Sequence, residues 1–576
     1  MRGNCKKITG MFIIIVVCSI VSQSSAVEFA GGTGEPNDPY QIATAQQLIS
    51  IGDDPILLEK HYVLVNDIDL DPNLPGGKVF TEAVIAPYEM YRQITPFSGS
   101  LDGNGHSISN ILMVTNSNNN SESYFGFIGY LTFGAVVEDI HLQNISIRGV
   151  GERAGALAGY NGGMILRCSA TGNITGKYSA GGLVGINYGD IVSCSAFCNV
   201  QSIPGGSSAG GLVGGNSGCM FNCYAIGTVT GWEYVGGLAG TNSSYISNCY
   251  AMGNVTGSEF VGGLIGLNGG DISNCYVTGT VTGKKYVGGL IGYLFFYFYW
   301  NTVSQCYAAC EVIADPNDSI GGLIGESEEQ ITDSFWDIQV SGQKISAGGT
   351  GLTTVKLQDS ETFLDAGWDM ASETSNGVAD IWTITEPNTY PQLTRFTDQY
   401  TVTQLSGRGT LDDPYEIATA EKLAAINDYD INAHYVLVTD IDMSGMVLTT
   451  APISFFNGTF DGRGHIISNL NIEGGSYLGL FNKIMTNGVV TNLTIQDASI
   501  IGYGHVGALA GVSFGHITNC HVTGNITGIS YVSGLVGLVY IPYHTAFEDY
   551  VFNCTTDVVL LGNDHVDNIA NVQFFD

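Results

Sequence analysis

Two glutamates occupy the same position in consecutive copies of a repeated phrase. These are Glu233 and Glu259, and Lys285 takes that position in the next copy. If the copies stack as adjacent coils, the two carboxylates lie near the roughly 5 to 5.5 Å separation that a retaining glycosidase uses. The spacing therefore permits acid–base chemistry on a polysaccharide. The alternative, which the sequence favours, is a solvated corner in which Lys285 offsets two acids, because exposed charges usually contribute little.

Three alternating aspartates form a second polar candidate site. Asp67, Asp69 and Asp71 supply carboxylate oxygens, the ligands that calcium prefers. Pro72 stands where an EF-hand loop needs Gly, and Lys78 stands where it needs a bidentate Glu. The sequence therefore favours a solvated strand face and no cofactor, with an improvised calcium site as the alternative.

Four tyrosines at repeat spacing form a candidate binding surface. Each follows a repeated Cys, so strand alternation turns its ring away from the side that the Cys occupies. Rings at coil spacing would stack against the sugars of a linear glycan, whereas the alternative is an internal aromatic stack. The four residues are Tyr224, Tyr250, Tyr276 and Tyr307.

An aromatic insertion replaces a short polar turn late in the repeat array. Exposed apolar clusters commonly mark ligand, partner or membrane contacts, so we predict a binding site here. The corresponding turn near the end of the chain is also enlarged and carries Tyr540 and Tyr543. The alternative is that the insertion folds back over its coil or packs against another part of the chain. The inserted aromatic residues are Tyr293, Phe295, Phe296, Tyr297, Phe298, Tyr299 and Trp300.

Six cysteines form one more column at the repeat spacing. Cys is among the most buried residue types, so the sequence favours apolar thiols that fill a coil corner. Disulfides between coils remain open, because stacked Cα atoms about 4.8 Å apart fall inside the disulfide range. The six are Cys168, Cys194, Cys223, Cys249, Cys275 and Cys306.

These columns arise because a unit of about 26 residues repeats along the chain. A Gly-Gly-Leu or Gly-Ala-Leu phrase places its Leu at seven positions: Leu157, Leu183, Leu212, Leu238, Leu264, Leu290 and Leu323. Each unit contains three short strand-like segments, for example 261–266, and cannot bury its apolar side chains alone. We therefore predict an all-β fold, a right-handed parallel β-helix with three short strands per coil.

A larger duplication divides the chain into two tandem modules. The segment DPYQIATAQQL from Asp38 returns as DPYEIATAEKL from Asp413, and Thr44 and Thr419 are expected to start short capping helices. The predicted divisions are a leader (1–26), the cap and first coils of module one (27–126), its repeat solenoid (127–340), a terminal cap and linker (341–404), the cap and first coils of module two (405–479) and a short repeat solenoid (480–576).

Two phrases resemble a known repeat family. GGLVGIN from Gly181 and SNCYAMGNVTG from Ser247 are similar to the GLUG-repeat family of bacterial secreted and surface proteins. The resemblance implies an extracellular, adhesin-like β-solenoid, and some members occur beside IgA-cleaving metallopeptidases. None of the ten histidines forms a His-Glu-x-x-His motif, so no peptidase is implied.

Charge and the N-terminus limit the classes of function. The 576 residues include 53 acidic and 19 basic ones, and a net charge of −34 excludes binding to nucleic acid through a basic surface. Residues 1–26 have the basic start, apolar stretch and small-residue site of a signal peptide. No later segment is apolar over enough residues to span a bilayer. The expected location is extracellular or at the cell surface.

The sequence favours a non-catalytic adhesion protein that binds a glycan or a protein partner. The expected partners are an extracellular polysaccharide or a cell-surface protein. Two alternatives remain: a polysaccharide lyase or hydrolase acting through Glu233 and Glu259, and a purely structural surface spacer. No counterpart of residues 341–400 follows module two, so its last coil is predicted to self-associate through uncovered strand edges.

Overall fold

The protein is a parallel β-solenoid of about 14 turns with a few short helices. The computed structural model describes residues 28–75, 77–89, 95–114, 123–148, 153–295, 302–315, 318–327, 331, 333–371, 380–387, 389–397, 402–542 and 545–575. The predicted fold class is confirmed. The predicted leader, residues 1–26, lies outside the described residues.

Module one is built from four sheets, and each typical coil contributes one strand to each of them. Sheet 1 contains Tyr40–Ile42, His61–Leu64, Ser100–Asp102, Val136–Glu138, Met164–Leu166, Asp190–Val192, Met220–Phe221, Ile246–Ser247, Ile272–Ser273 and Val303–Ser304. Sheet 2, which has the longest strands, contains Ile68–Asp69, Ser107–Ser109, Leu112–Val114, His141–Arg148, Ser169–Gly176, Ser195–Ser202, Tyr224–Thr230, Tyr250–Thr256, Tyr276–Thr282, Tyr307–Ile313, Phe335–Asp337 and Thr350–Leu352.

The other two sheets of module one lie on either side of the Gly-Gly-Leu phrase. Sheet 3 contains Tyr88–Glu89, Ser123–Phe125, Arg153–Ala154, Ser179–Gly181, Ser208–Gly210, Glu233–Gly236, Glu259–Gly262, Lys285–Gly288 and Ile320–Gly321. Sheet 4 contains Ile128–Leu131, Ala158–Asn161, Val184–Asn187, Val213–Asn216, Ala239–Asn242, Ile265–Asn268, Ile291–Leu294 and Ile324–Ser327. Within these four sheets the strands pair in parallel except Tyr88–Glu89, which is antiparallel to its neighbour. A separate two-stranded antiparallel sheet follows, formed by Trp382–Thr383 and Gln392–Leu393.

Module two repeats this plan with fewer coils. Sheet 5 contains Tyr415–Ile417, His434–Leu437, Thr459–Asp461, Val489–Thr491, His516–Thr518 and Val551–Phe552. Sheet 6 contains Ile441–Asp442, Ile466–Ser468, Asn471–Glu473, Thr494–Ile501, His521–Thr527 and Thr555–Leu561. Sheet 7 contains Ile453–Phe456, Phe481–Ile484, Ala510–Ser513, Val536–Pro542 and Ala570–Phe575, and sheet 8 contains Gly504–Val506, Ser530–Ser533 and Asp564–Asp567.

Short helices begin both modules, as predicted. Thr44 caps the helix Ala45–Ser50 with a complete capping box, in which the Gln47 side chain accepts a hydrogen bond from the Thr44 backbone N–H at 3.1 Å. Thr419 caps Ala420–Ala424 with its hydroxyl alone. The other helical segments are Ser360–Leu364 and Phe547–Tyr550, with 3₁₀ turns at Ile51–Asp53, Pro55–Glu59, Lys356–Gln358, Thr394–Phe396 and Ala425–Asp428. None of the helices in the described ranges is long and apolar enough to cross a membrane.

Each typical coil has four short strands, where three were predicted. The predicted strand 261–266 is divided by a bend between Glu259–Gly262 and Ile265–Asn268. The bend requires glycine: a Cβ on Gly236 would lie 2.0 Å from the Ala239 carbonyl oxygen, and one on Gly237 would lie 2.1 Å from that of Gly263 in the next coil. The Leu that follows is fully buried in all seven copies.

A buried column of asparagines links the turns after sheet 4. Each of the first four side-chain amides donates to the Oδ1 of the next asparagine at 2.7–2.8 Å. Four of the amides also donate to the backbone carbonyl oxygen two residues further on. A buried side chain thus supplies the hydrogen bond that this carbonyl group of each turn needs. The column consists of Asn161, Asn187, Asn216, Asn242 and Asn268.

The two modules pack against each other along sheet 1. Ile431 and Phe455 of module two join a buried cluster with Met164, Leu166 and Phe221 of module one. Beside this cluster, the ammonium group of Lys483 donates to both carboxylate oxygens of Asp190 at 2.8 and 3.0 Å. A buried ion pair is favourable only when the two charged groups are held in hydrogen-bonding geometry. The pair therefore fixes how the two modules are arranged at this contact.

Candidate functional site

The predicted tyrosine column exists, but it is covered. The rings of Tyr224, Tyr250, Tyr276 and Tyr307 stack in parallel at 4.8, 4.9 and 5.2 Å on the outer face of sheet 2. Apolar side chains of the segment 357–393 close over them, and Tyr250, Tyr276 and Tyr307 are buried. The prediction of a glycan platform at these three tyrosines is therefore wrong, because a sugar ring has no access to them. The covering side chains are Leu357, Phe363, Trp368, Met370, Trp382 and Leu393.

The cysteine column is a structural feature of the core. All six thiols are buried, and each of the eleven cysteines in the described residues is free. Backbone N–H groups donate to the sulfur of the next coil, for example Cys168 to Cys194 Sγ at 3.3 Å. Burial also raises the pKa of the nearby Cys198 and Cys310 thiols to about 12, which disfavours the reactive thiolate. The buried-thiol interpretation is confirmed.

The aspartates considered for calcium are used in local hydrogen bonds. Asp67 accepts from the Ser107 backbone N–H at 2.8 Å, and Asp69 accepts from the Asn110 side chain at 2.8 Å. Asp71 accepts from the backbone and side chain of Asn73. In the ranges that the structure describes, no group of three or more His, Cys, Asp or Glu side chains could hold a metal ion.

The two glutamates lie beside an aromatic ladder at one edge of the solenoid. Glu233 and Glu259 pair in register on adjacent strands of sheet 3, and Lys285 follows Glu259 in the next coil. The residues that follow them, Tyr234, Phe260 and Tyr286, stack at 5.0 and 4.9 Å. We call these three residues the corner ladder. They are half-buried, so their rings combine a fixed position with access from solvent.

Backbone conformation places the corner ladder. All three residues have φ between 49° and 55°, in the left-handed region that non-glycine residues seldom adopt. This conformation interrupts the inward–outward alternation of the strand and turns the rings along the edge. The sequence signal for the ladder is an aromatic residue before Val-Gly-Gly in three consecutive copies.

Other predicted residues border the ladder. The Tyr293 ring lies 5.4 Å from Tyr286 and 5.9 Å from Phe260, so the start of the aromatic insertion extends the ladder. Phe295 is half-buried near Gly269. The remaining residues of the insertion, Phe296, Tyr297, Phe298, Tyr299 and Trp300, lie outside the described residues.

Charged and aromatic side chains surround the ladder. The Lys285 ammonium lies 4.5 Å from the centre of the Tyr286 ring, and contact with that phenol and with Glu259 raises the Lys285 pKa. Partial burial, with Glu233 and Glu259 nearby, raises the pKa of Tyr234. Trp232 lies next to the first ring and is 51% exposed. Because the rings stack face to face, the site offers a continuous row of apolar ring edges with hydrogen-bonding groups beside them.

Module two has an equivalent ladder in which histidines alternate with tyrosines. Tyr477, His505, Tyr531 and His565 stack at 4.7, 4.8 and 4.5 Å. Burial lowers the pKa of His505 to about 4, so its ring stacks in the neutral form near pH 7. Tyr540 instead stacks on Phe514, which contacts Phe133 of module one. Tyr543 lies outside the described residues.

Comparison with known proteins supports the family resemblance. The profile of the GLUG motif matches residues 151–175, 257–282 and 502–527, in both modules. The chain carries GLUG repeats. The matched GLUG segments include the long strands Tyr276–Thr282 and His521–Thr527 and, at 257–282, the Phe260 rung of the corner ladder.

Two curated relatives match parts of this GLUG-repeat chain. Halomucin of Haloquadratum walsbyi is 39% identical over 146 residues, which are 23% of this chain and 2% of halomucin. A protein described as a Gly-rich membrane protein of Evansella cellulosilytica is 33% identical over 162 residues, 27% of this chain and 17% of that protein. The chain thus spans less than a fifth of the length of either relative.

One solved structure also aligns with the GLUG-repeat chain. It is a crystal structure from Bacteroides ovatus described as an immunoglobulin A1 protease, with 17% sequence identity and a TM-score of 0.33. The alignment covers 63% of this chain and 95% of that one. A likeness at this level supports no conclusion about activity.

Proposed function

We propose that this protein is a secreted or surface-associated β-solenoid that binds an uncharged linear glycan, without catalysis, at the corner ladder. The observation that carries the proposal is the stack of Tyr234, Phe260 and Tyr286, in register at coil spacing and open to solvent on one side. The rings stack face to face and therefore present their edges to a ligand, and a pyranose ring is about as long as the distance between coils, so successive sugars can lie against the edges of successive rings.

The rest of the surface supports the choice of an uncharged glycan. The chain carries a net charge of −34, and a polyanion would be repelled. Glu233, Glu259 and Lys285 flank the rings and can exchange hydrogen bonds with sugar hydroxyls. GLUG repeats and partial similarity to halomucin and a Gly-rich membrane protein support a place at the cell surface or outside the cell.

The test is affinity electrophoresis in gels that contain a soluble β-glucan, a galactomannan or, as the charged counterpart, alginate. We expect retardation by a neutral polymer and none by alginate. Each ring removed should weaken binding by about 1 kcal/mol, roughly fivefold in Kd, so the triple change Tyr234→Ala, Phe260→Ala, Tyr286→Ala should abolish retardation.

A matched control separates the ladder from general aromatic exposure. Tyr188 is 57% exposed on the same module but lies away from the ladder, so Tyr188→Ala should bind as the unchanged protein does. Normal retardation of the triple variant would refute the proposal.

The enzyme alternative rests on Glu233 and Glu259, which are in register on adjacent coils. It predicts that new reducing or unsaturated ends accumulate and that Glu233→Gln or Glu259→Gln stops their release. Such a result would replace the binding proposal. The same gels therefore distinguish the two, when product ends are assayed after incubation.

A further inference from the structure

One half of sheet 2 is covered by the chain itself and the other half is open. The covered half carries the tyrosine column. The open half presents two outward columns in five consecutive coils, which we call the polar face. Six of its ten side chains are exposed and the other four are half-buried. The first column is Asn173, Asn199, Thr228, Asn254 and Thr280, and the second is Thr175, Gln201, Thr230, Thr256 and Thr282.

The polar face is a regular two-dimensional array. Its strands pair in register, for example Thr228 with Asn254 and Thr230 with Thr256. Neighbours within a column are therefore about 4.8 Å apart, and the two columns are about 7 Å apart along each strand. The residues between the columns, such as Val229 and Val255, are at most 3% exposed and hold the strands in place. The array is thus flat and rigid.

The polar face carries no charge, although the chain has 53 acidic residues. All ten side chains are hydroxyls or amides, which both donate and accept hydrogen bonds. Charged residues appear only at its limits, with Arg148 in the coil before it and Glu311 in the coil after it. The surface matches an uncharged partner rich in hydroxyl groups and disfavours an ionic one.

The polar face is continuous with the corner ladder. Thr230 is separated from the Glu233–Tyr234 edge only by Gly231 and Trp232, and the same order recurs in the next two coils. The two surfaces therefore meet along one edge of the solenoid. A partner that reaches both would contact the edges of the stacked rings on one side and a hydroxyl–amide array on the other.

We infer that the partner is an insoluble, uncharged polysaccharide whose chains lie side by side, with one chain on the corner ladder and its neighbours on the polar face. This inference rests on the proposed function and names its substrate class. Each hydrogen bond on the array contributes little to binding, because it replaces a hydrogen bond to water. For a flexible soluble chain, the entropy lost when the chain becomes ordered on binding cancels this small gain in free energy. A packed polymer surface is already ordered and makes many contacts at once.

The experiment compares adsorption to microcrystalline cellulose and chitin powders with retardation by the soluble glycans. The polar-face variant is Thr230→Glu with Thr256→Glu, which places two carboxylates in the array without touching the ladder. We expect its adsorption to a powder to fall about tenfold or more, equivalent to one or two lost hydrogen bonds plus a desolvation cost. Its retardation by soluble glycan should be unchanged.

Controls separate this inference from the proposed function. Thr353→Glu with Thr385→Glu adds the same two charges at exposed positions outside the polar face and should adsorb normally. The ladder variant should lose both soluble and insoluble binding. If the polar-face variant adsorbs as the unchanged protein does while the ladder variant loses soluble binding, the inference is wrong and the proposed function stands.

Two other outcomes would also overturn the inference. If the unchanged protein adsorbs to neither powder, the inference of a packed polysaccharide partner is wrong, even if soluble glycans retard the protein in the gels. The second outcome is that the unchanged protein does not adsorb to a powder but shapes or delays the growth of ice crystals, and that the polar-face variant loses this effect. The ligand of the polar face would then be ice and not a polysaccharide.

Discussion

At the scale of single residues, the stability of the solenoid depends on the buried side-chain amide of Asn216. Its amide donates to the Gly218 carbonyl at 2.7 Å and to Asn242 Oδ1 at 2.8 Å. Asn216→Asp removes both donors and buries a charge against two acceptors. We expect the free energy of unfolding to fall by roughly 3 kcal/mol or more, measured as a lower midpoint in thermal circular dichroism.

The control for this change is an asparagine in the same kind of repeat position but on the surface. Asn199 is exposed and donates to Asn173 at 3.1 Å. Asn199→Asp should alter stability by no more than about 0.5 kcal/mol. If both variants lose the same free energy of unfolding, the buried position of Asn216 does not increase its contribution to stability.

At the scale of elements, the segment 357–396 acts as a cover for sheet 2. Trp382 is fully buried, lies 6.0 Å from both Tyr276 and Tyr307, and donates its indole N–H to Asn274 Oδ1 at 3.2 Å. Trp382→Ala should cost about 3 to 5 kcal/mol of local stability. We expect faster amide hydrogen exchange in 380–397 while the strand Tyr276–Thr282 stays protected by its neighbouring coils.

A matched tryptophan change tests whether the effect is local to the cover. Trp232 is 51% exposed at the corner ladder, and Trp232→Ala should leave exchange in 380–397 unchanged. If Trp382→Ala also leaves it unchanged, the cover does not depend on this side chain.

Elements defined by the repeat could be predicted, and elements that depend on distant contacts could not. The repeat of about 26 residues predicts that the Leu and Cys columns of the coils are buried, because stacked coils give equivalent positions the same environment. The cover over Tyr307 depends on a contact between residues 84 apart, Tyr307 Oη and the Pro391 carbonyl oxygen, which no local pattern indicates. The corner ladder was missed for another reason: left-handed residues break the alternation from which side-chain direction was deduced.

At the scale of the whole molecule, the contact between modules carries a group that titrates near neutral pH. Burial raises the pKa of Glu138 to about 7, and Asp102, Asp430 and Asp139 add to the increase while Arg167 opposes it. Because the pKa in the folded protein is above the ordinary value of 4.5, the stabilising effect is complete below about pH 4.5 and is lost as the pH rises through 7.

We therefore expect the module contact to loosen as the pH rises from about 4.5 through 7. Asp430 belongs to module two and the other four groups belong to module one, so separating the modules relieves repulsion when Glu138 is ionised. The radius of gyration from small-angle scattering should increase over this range. Glu138→Gln should remove the dependence, and a variant that keeps the same pH profile would show that another group is responsible.

The last described coil of module two provides a prediction about assembly. Among the residues that the structure describes, its strands Thr555–Leu561 and Ala570–Phe575 pair with a neighbouring strand on one side only, and Val559 and Leu561 are 59% and 60% exposed. Unpaired edges with apolar side chains favour pairing with a second copy. Repulsion between chains of charge −34 opposes this at low salt, so sedimentation velocity should detect dimers that increase with protein concentration and with ionic strength. Leu561→Lys should keep the protein monomeric under the same conditions, whereas Leu411→Lys, at a residue 76% exposed in the N-terminal cap of module two, should not. Equal association of both variants would place the contact elsewhere.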